Sequence, residues 1–251
     1  MWLDCIAAPD KYRTRFEQLT AVLSDDNLAA MTGQLISAFS PDADIGIDDA
    51  EIIVTLSFGN SFGYVYGNAL HIDLFGIDRY CTVAEFYTIV MHELHHLMIQ
   101  KLIGDFKQFT AGFTMLDDYI FRFSGEGLAV KFANNAEGVL SRRINPELAA
   151  NIGLTSMDVL NRHFEEHLAL FKETVGRINS GSITYDEMNR QFRDYWWNPK
   201  LYTDEVPMLD QTPIYSFGNE LYGAVYDRFG LDTMFGCFRK PSLLYDYLFG
   251  A

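Results

Sequence analysis

The sequence predicts an α+β fold, with a small N-terminal sheet, antiparallel or mixed, followed by a mostly helical C-terminal part. Two observations predict this class. Runs rich in β-branched and aromatic residues cluster between positions 51 and 75, whereas apolar residues at helical spacing recur before and after them. Because 251 residues suffice for one large core, we expect a single domain, with residues 1–103 carrying helices and the sheet and 104–251 mostly helical.

Residues from about 10 to 39 predict one or two opening helices. Their apolar residues recur every three or four positions, and the pattern stops at Ser40-Pro41. The positions are Phe16, Leu19, Leu23, Leu28, Met31, Leu35 and Phe39.

Two strands follow these helices. The run "EIIVTLSFG" begins at Glu51, and "YVYGNALHIDLF" follows a turn-prone Gly59-Asn60-Ser61. An antiparallel pair is the simplest arrangement. We expect Gly59, Gly63 and Gly67 to permit close packing and tight turns.

Helical patterning dominates after the strands, and residues 198–213 form the longest loop. The predicted helices cover 83–103, 126–138, 146–151, 156–178, 184–196 and 217–230.

The charge balance restricts the possible partners. With 34 acidic against 19 basic residues the net charge is −15, which repels nucleic acid and anionic membranes. We therefore expect neither as a partner.

The cysteines and the N-terminus bear on the compartment. Cys5, Cys81 and Cys237 are odd in number and far apart, so they indicate neither a disulfide framework nor a cysteine zinc site. They favour a reducing compartment. The N-terminus lacks the features of a secretory signal, which predicts a cytoplasmic protein, although a removed signal peptide would leave the same pattern.

A histidine cluster lies in "TIVMHELHHLMIQ", residues 88–100, inside the predicted helix 83–103. Thr82 and Glu85 form a capping-box pattern at its start, and Gly104 ends it. Because positions four apart share a helix face, His92 and His96 project together, whereas His95 points elsewhere. His92, Glu93 and His96 form the H-E-x-x-H pattern. In this pattern the two histidines bind zinc and the glutamate acts as general base.

The flanks of this motif strengthen the metal interpretation. They are almost uncharged, so the helix must be buried, where unpaired imidazoles would be costly. The alternative is a pair of core histidines that bond to backbone or carboxylate partners.

A second motif, "HFEEH" at 163–167, matches the reversed H-x-x-E-H pattern. Charged and apolar residues alternate around it as on an amphipathic helix, so we expect His163 and His167 to lie on a solvated surface.

A third zinc ligand is expected, because catalytic zinc normally has three protein ligands and one open position. The candidate is Glu126 in "FSGEGLAVKFANN", between Gly125 and Gly127 at the start of a helical pattern. Small neighbours permit close approach of the backbone to the histidine helix. The alternative is an ordinary helix-start glutamate.

These motifs resemble the gluzincin metallopeptidases, in particular the aminopeptidase-like group whose third ligand lies in an E-G-x-A segment. "GEGLAVKF" is similar to that segment, and "YSFGNELYGAVYDRFGLDTMFG" resembles the Y-x-x-G helix of many bacterial members. The resemblance implies a zincin-like fold with the histidine helix as active-site helix. It also implies one zinc per chain, held by His92, His96 and Glu126, and an oxyanion-binding Tyr215.

The chain departs from the family pattern in two places. Glu126 follows His96 by 30 residues (126 − 96), which implies an inserted segment within 104–124. Val130 stands where some gluzincins have an aspartate that orients a ligand histidine, and Asp117 or Asp118 is the expected substitute.

The resemblance also implies a peptide or protein substrate that pairs with an edge strand before the histidine helix. "GNALHIDL" is placed for this role, so Asn68 and Ala69 are the expected substrate contacts, and His71 is expected to be a strand residue. The implied activity is zinc-dependent peptide hydrolysis. The alternatives are an inactive zinc-binding module that holds peptides, a zinc hydrolase acting on another substrate, and a domain without metal.

Overall fold

The computed structural model describes residues 6–36, 38–39, 45, 47, 50–55, 62–76, 83–133, 155–207, 209 and 211–250. The chain divides into two compact units. The first comprises Met1–Gly104 and Phe132–Asn134, and the second comprises Asp105–Lys131 and Asn135–Ala251. The architecture is mostly helical with one small sheet, consistent with the predicted α+β class. The single-domain expectation stays a prediction.

Three helices build the helical part of the first unit. They are α1 (Pro9–Val22), α2 (Asp25–Ile36) and α3 (Val83–Ile103), and both α1 and α2 pack against α3. Proline at the start of α1 is favourable because its missing N–H would have no helical partner there. Two opening helices were among the expected arrangements. The capping box assigned to Thr82 and Glu85 lies outside the described residues, as do Cys5 and Cys81.

The sheet of the first unit is mixed and has three described strands in the order β1-β3-β2. They are β1 (Glu51–Thr55), β2 (Gly63–Tyr66) and β3 (Ala69–Asp73). β1 pairs with β3 in parallel and β2 pairs with β3 in antiparallel orientation. The simple antiparallel pair is therefore wrong, because the second predicted strand is itself a hairpin whose second half joins β1.

A two-residue turn, Gly67-Asn68, connects β2 to β3. Tyr66 pairs with Ala69, and Gly67 has φ 61°, a left-handed conformation that glycine adopts without steric cost. The hairpin places β3 in the centre of the sheet. The expectation that "GNALHIDL" is an edge strand is consequently wrong, and the described edges are β1 and β2.

The second unit opens with α4 (Phe106–Phe109), α5 (Met115–Phe121) and α6 (Ser124–Phe132), of which only Phe132 is assigned to the first unit. The predicted insertion thus forms two short capped helices. Asp105 accepts the Gln108 N–H at the start of α4, and a Thr114–Asp117 capping box starts α5.

The rest of the second unit is helical. The further α-helices are α7 (Thr155–Arg162), α8 (Phe164–Asn179), α9 (Tyr185–Gln191), α10 (Pro213–Gly218), α11 (Ala224–Phe229), α12 (Leu231–Arg239) and α13 (Ser242–Phe249). Two π-helical turns, Phe192–Trp196 and Asn219–Gly223, continue α9 and α10. The predicted helix 156–178 is interrupted at His163, and the predicted helix 146–151 lies outside the described residues. No helix in the described part of the chain is long and apolar enough to cross a membrane.

An aromatic cluster forms the core of the second unit. Phe123 makes ring contacts with Phe171, Trp196 and Phe217, at centroid distances from 4.8 to 5.8 Å. All four side chains are fully buried. Since such rings bury large apolar areas, this cluster stabilises the unit and fixes the segment that leads into α6.

Candidate metal centre

Helix α3 presents His92 and His96 as a pair. Their Nε2 atoms lie 3.0 Å apart, with the ring planes at 82°. Zinc binds imidazole nitrogen at about 2.0–2.1 Å, so two ligands of one tetrahedral ion lie roughly 3.3 Å apart. The two nitrogens therefore converge at a separation suited to one small cation.

Apolar residues of α3 around this pair are buried, which fixes the direction of the pair. Val90, Leu94, Leu97 and Met98 are at most 3% exposed. They hold the helix against α1, α2 and the sheet. Packing of the apolar faces thus leaves His92 and His96 little rotational freedom as a pair.

His95 lies on a different face of α3 and is a core residue. Its ring stacks on Phe132 at 6.0 Å and lies 5.4 Å from Phe39, and the residue is 1% exposed. This placement agrees with the expectation that His95 points away from the pair.

Glu93 lies against strand β2 and is 8% exposed. A Cβ atom placed on Gly63 would stand 2.7 Å from Glu93 Cγ and 3.1 Å from its Cδ. The glutamate side chain therefore occupies the space that any other residue at position 63 would fill.

Glu126 completes a group with the two histidines. Among the residues that the structure describes, His92, His96 and Glu126 could hold a metal ion, since each offers one ligand atom and these atoms all lie within 4.8 Å of one another. Two imidazole nitrogens and one carboxylate oxygen are a donor set that catalytic zinc uses. An imidazole hydrogen bond alone would explain the histidine pair, but it would not require the carboxylate.

A backbone crossing of α6 and α10 sets the surroundings of Glu126. A Cβ atom on Gly127 would lie 2.2 Å from the Gly218 carbonyl carbon, and one on Gly218 would lie 2.3 Å from the Phe123 oxygen. The two helices touch through their main chains at this point. Of the two glycines beside Glu126 only Gly127 makes a close approach, and the atoms nearest to it belong to α10 and not to the histidine helix that was expected.

Tyr215 lies on α10, one turn before Gly218. Its half-buried side chain packs against the apolar cluster that contains Val130 and Leu209, and its ring meets Trp197 edge-on at 6.2 Å. The tyrosine is therefore held at the same crossing as the helix that carries Glu126. Its oxyanion role stays a prediction.

The expected substrate contacts have different surroundings. Ala69 is 8% exposed and pairs on both sides, with Glu51 and with Tyr66, so it offers no free edge. Asn68 is exposed in the hairpin turn, and its carbonyl accepts the Glu51 N–H. Its role in substrate binding stays a prediction. His71 is a strand residue, as expected, and its ring stacks on Tyr64 at 4.7 Å.

The structure gives Asp117 and Asp118 other partners than a ligand histidine. Asp117 caps α5 and accepts the Ser242 N–H at 2.8 Å, whereas Asp118 pairs with Arg122 at 2.7 Å and accepts the Tyr185 hydroxyl. Burial raises the pKa of the Asp117 carboxyl, but its hydrogen bonds with Thr114 and Ser242 outweigh that effect and hold the pKa below its usual value. Both aspartates serve local structure.

The second histidine motif forms a polar network and, within the described ranges, belongs to no candidate metal group. His163 contacts both Glu166 and Glu205, and its ring stacks on Tyr202 at 3.7 Å. His167 is 1% exposed, and its Nε2 lies 2.9 Å from the Tyr202 hydroxyl oxygen. The surface expectation is wrong for His167 because the rings of Tyr195, Trp196, Tyr202 and Phe217 surround it.

Sequence reasoning missed two buried polar residues, Asn219 and Glu220. They are 0% and 2% exposed and occupy the π-helical turn after α10. Their signal was an Asn-Glu pair in the otherwise apolar run "YSFGNELYGAVY". A buried carboxylate needs partners and π-helical turns are frequent at functional sites, so this turn, directly after the helix that bears Tyr215, is a second polar feature of the core.

Comparison with known proteins supplies one match. The curated proteins give no match, and the solved structures give none either. One family model covers residues 9–247, nearly the whole chain and all the motifs described above. By that match the chain belongs to the family "Putative zinc dependent peptidase (DUF5700)".

Proposed function

We propose that the protein is a zinc-dependent peptidase of the gluzincin type. The observation that carries the proposal is the group of two imidazoles and one carboxylate, with Glu93 directly after the first histidine. His92, His96 and Glu126 would hold one zinc ion. When bound there, zinc would polarise a water molecule and lower its pKa.

Glu93 is the proposed general base. It follows a ligand histidine on α3 and is almost fully buried against β2, which limits its conformations. We assign it two transfers: its carboxylate accepts a proton from the attacking water and then delivers that proton to the departing amine nitrogen. Tyr215 would donate its hydroxyl hydrogen to the negative charge that develops on the substrate carbonyl oxygen.

The substrate is proposed to be an extended peptide. Among the described strands β2 is an edge, and its residue Gly63 lies against Glu93. An edge strand can add a peptide strand through its backbone groups. We therefore move the expected pairing from β3 to β2, at residues 64–66.

Metal analysis tests the ligand assignment. The purified protein should take up about one zinc per chain, and His96→Ala should abolish uptake. His163→Ala is the matched control, because it removes a histidine from the other motif and should leave zinc unchanged. A wild-type protein that takes up no zinc would exclude the proposal.

Turnover of a peptide library tests the chemistry. Glu93→Gln preserves size and should keep zinc but lose several orders of magnitude in kcat, as expected for an essential base. Zinc uptake and peptide binding without hydrolysis by the wild type would instead indicate a module that only holds peptides. Hydrolysis at the wild-type rate by Glu93→Gln would exclude the general-base mechanism.

A further inference from the structure

We infer that Gly63 is a positioning residue: by lacking a side chain it provides the space in which Glu93 is held as general base. The role of Glu93 rests on the proposed function, whereas the contact itself does not. Gly63 lies on a strand, 30 positions (93 − 63) before the residue whose position it sets.

The contact distances carry the argument. A Cβ atom on Gly63 would lie 2.7 Å from Glu93 Cγ and 3.0 Å from the His71 carbonyl oxygen. Non-bonded carbon atoms prefer about 3.5–4.0 Å. Even alanine at position 63 would therefore require a displacement on the order of 1 Å between β2 and the Glu93 side chain.

Backbone conformation does not explain this glycine. Gly67, four residues on, has a positive φ that the hairpin turn requires, whereas Gly63 is not among the positive-φ glycines. Gly63 is an ordinary strand residue that pairs with Ile72. Gly63 is the first residue of β2, and glycine is disfavoured in strands because it has no side chain to pack, so a different benefit has to offset that cost.

Neither partner can move away freely. β2 is fixed by its ladder to β3, and the Phe62 carbonyl next to Gly63 accepts the Asp73 N–H at 2.9 Å. On the other side, Glu93 is 8% exposed and meets Gly63 through Cγ, close to the root of its side chain. The strain of an added methyl group would thus fall mainly on the torsion angles of Glu93.

The expected consequence is a loss of turnover. A displacement of about 1 Å in a catalytic group can lower the rate by roughly a hundredfold. Gly63→Ala should accordingly lower kcat by about that factor, with KM and zinc content nearly unchanged. Gly33→Ala is the matched control, because a Cβ atom at that helical glycine would meet nothing within 4 Å.

A double-mutant cycle separates this role from general damage. If Gly63 acts through Glu93, adding Gly63→Ala to Glu93→Gln should cause almost no further loss of kcat. A crystal structure of the Gly63→Ala protein should show the Glu93 carboxylate displaced by about 1 Å. Unchanged kcat in Gly63→Ala, or an undiminished further loss in the Glu93→Gln background, would overturn the inference.

A stability measurement covers the case in which Gly63→Ala folds poorly or the wild type shows no hydrolysis. Glu93→Ala removes Cγ and Cδ, so the variant that combines it with Gly63→Ala should recover most of the melting temperature that Gly63→Ala loses. Recovery supports the contact even if the protein proves not to be a peptidase. Failure of Glu93→Ala to restore stability would show that Gly63 does not make room for Glu93.

Discussion

The crossing of α6 and α10 makes Gly127→Ala the most informative single substitution for stability. The added Cβ atom would lie 2.2 Å from the Gly218 carbonyl carbon and 2.5 Å from its Cα and oxygen. All three are main-chain atoms, so no side-chain rotation relieves the overlap. The helices must separate by roughly 1 Å before an ordinary carbon–carbon contact is restored.

The expected cost follows from this geometry. Overpacking a core typically costs about 1–3 kcal/mol, and a contact between two helix backbones belongs at the upper end. Alanine gains up to about 1 kcal/mol over glycine within a helix, which offsets part of the cost. We therefore expect Gly127→Ala to lower the free energy of unfolding by about 2–3 kcal/mol.

Gly125→Ala provides a matched control on the same helix. A Cβ atom at Gly125 would meet nothing within 4 Å, so this variant should be as stable as the wild type or slightly more stable. Urea denaturation of the three proteins measures the difference, and zinc content reports whether Glu126 between the two glycines is displaced. A Gly127→Ala protein within about 0.5 kcal/mol of Gly125→Ala would refute the backbone contact.

Two further predictions concern Tyr215 and His167. Tyr215→Phe should lower kcat by roughly a hundredfold while KM and zinc content stay nearly unchanged, because a donor to the developing oxyanion acts mainly in the transition state. A kcat of Tyr215→Phe equal to that of the wild type would exclude the oxyanion role. Burial, with a smaller contribution from nearby His163, lowers the pKa of His167 from 6.5 to about 3. Below pH 6.5 the unfolded chain therefore binds a proton that the folded chain does not bind, and stability should fall by up to about 1.4 kcal/mol per pH unit toward pH 3. His167→Gln, which can keep a hydrogen bond to Tyr202, should flatten this dependence in urea titrations between pH 7 and pH 5, and an unchanged slope would contradict the assignment.

The histidine helix could be predicted closely from the sequence. Its long apolar pattern and the stop at Gly104 gave 83–103, and the structure has α3 at Val83–Ile103. The stop has a physical basis, since Gly104 adopts φ 64° directly after the helix. Because helical spacing is local, it also showed that His92 and His96 share a face while His95 does not.

Strand pairing could not be predicted in the same way. Periodicity predicts extended runs at 51–59 and 64–75, but it shows neither the turn at Gly67-Asn68 nor which strands pair. The parallel pairing of β1 with β3 depends on a hairpin that frees one side of β3, and that hairpin depends on the φ of one glycine. Such a choice is made by non-local contacts, which a single-sequence pattern does not contain.

The prediction that His167 lies on a solvated surface was wrong for a related reason. The alternation around His163 and His167 is that of a helix with a solvated face, and the helical pattern itself was correct apart from the break at His163. Tyr202, 35 positions (202 − 167) along the chain, places its hydroxyl against His167, and the rings of Trp196 and Phe217 also contact the histidine. Tyr202 adopts φ 60°, unusual for a non-glycine residue, so its loop holds a specific conformation that local patterns do not predict.

The residue types of the candidate site could be predicted from local sequence patterns, whereas their placement depends on non-local contacts. Its chemical groups are imidazoles and carboxylates, whose types and spacing can be recognised along the chain. Their placement depends on glycines that have no chemistry of their own: Gly63 leaves room for Glu93, and Gly127 lets the helix of Glu126 touch α10. In a sequence, such a glycine looks the same as Gly125 or Gly33, where a side chain would meet nothing within 4 Å. A substitution that preserves every proposed ligand and the proposed general base should therefore still remove the proposed activity, because a glycine sets how closely the neighbouring groups approach.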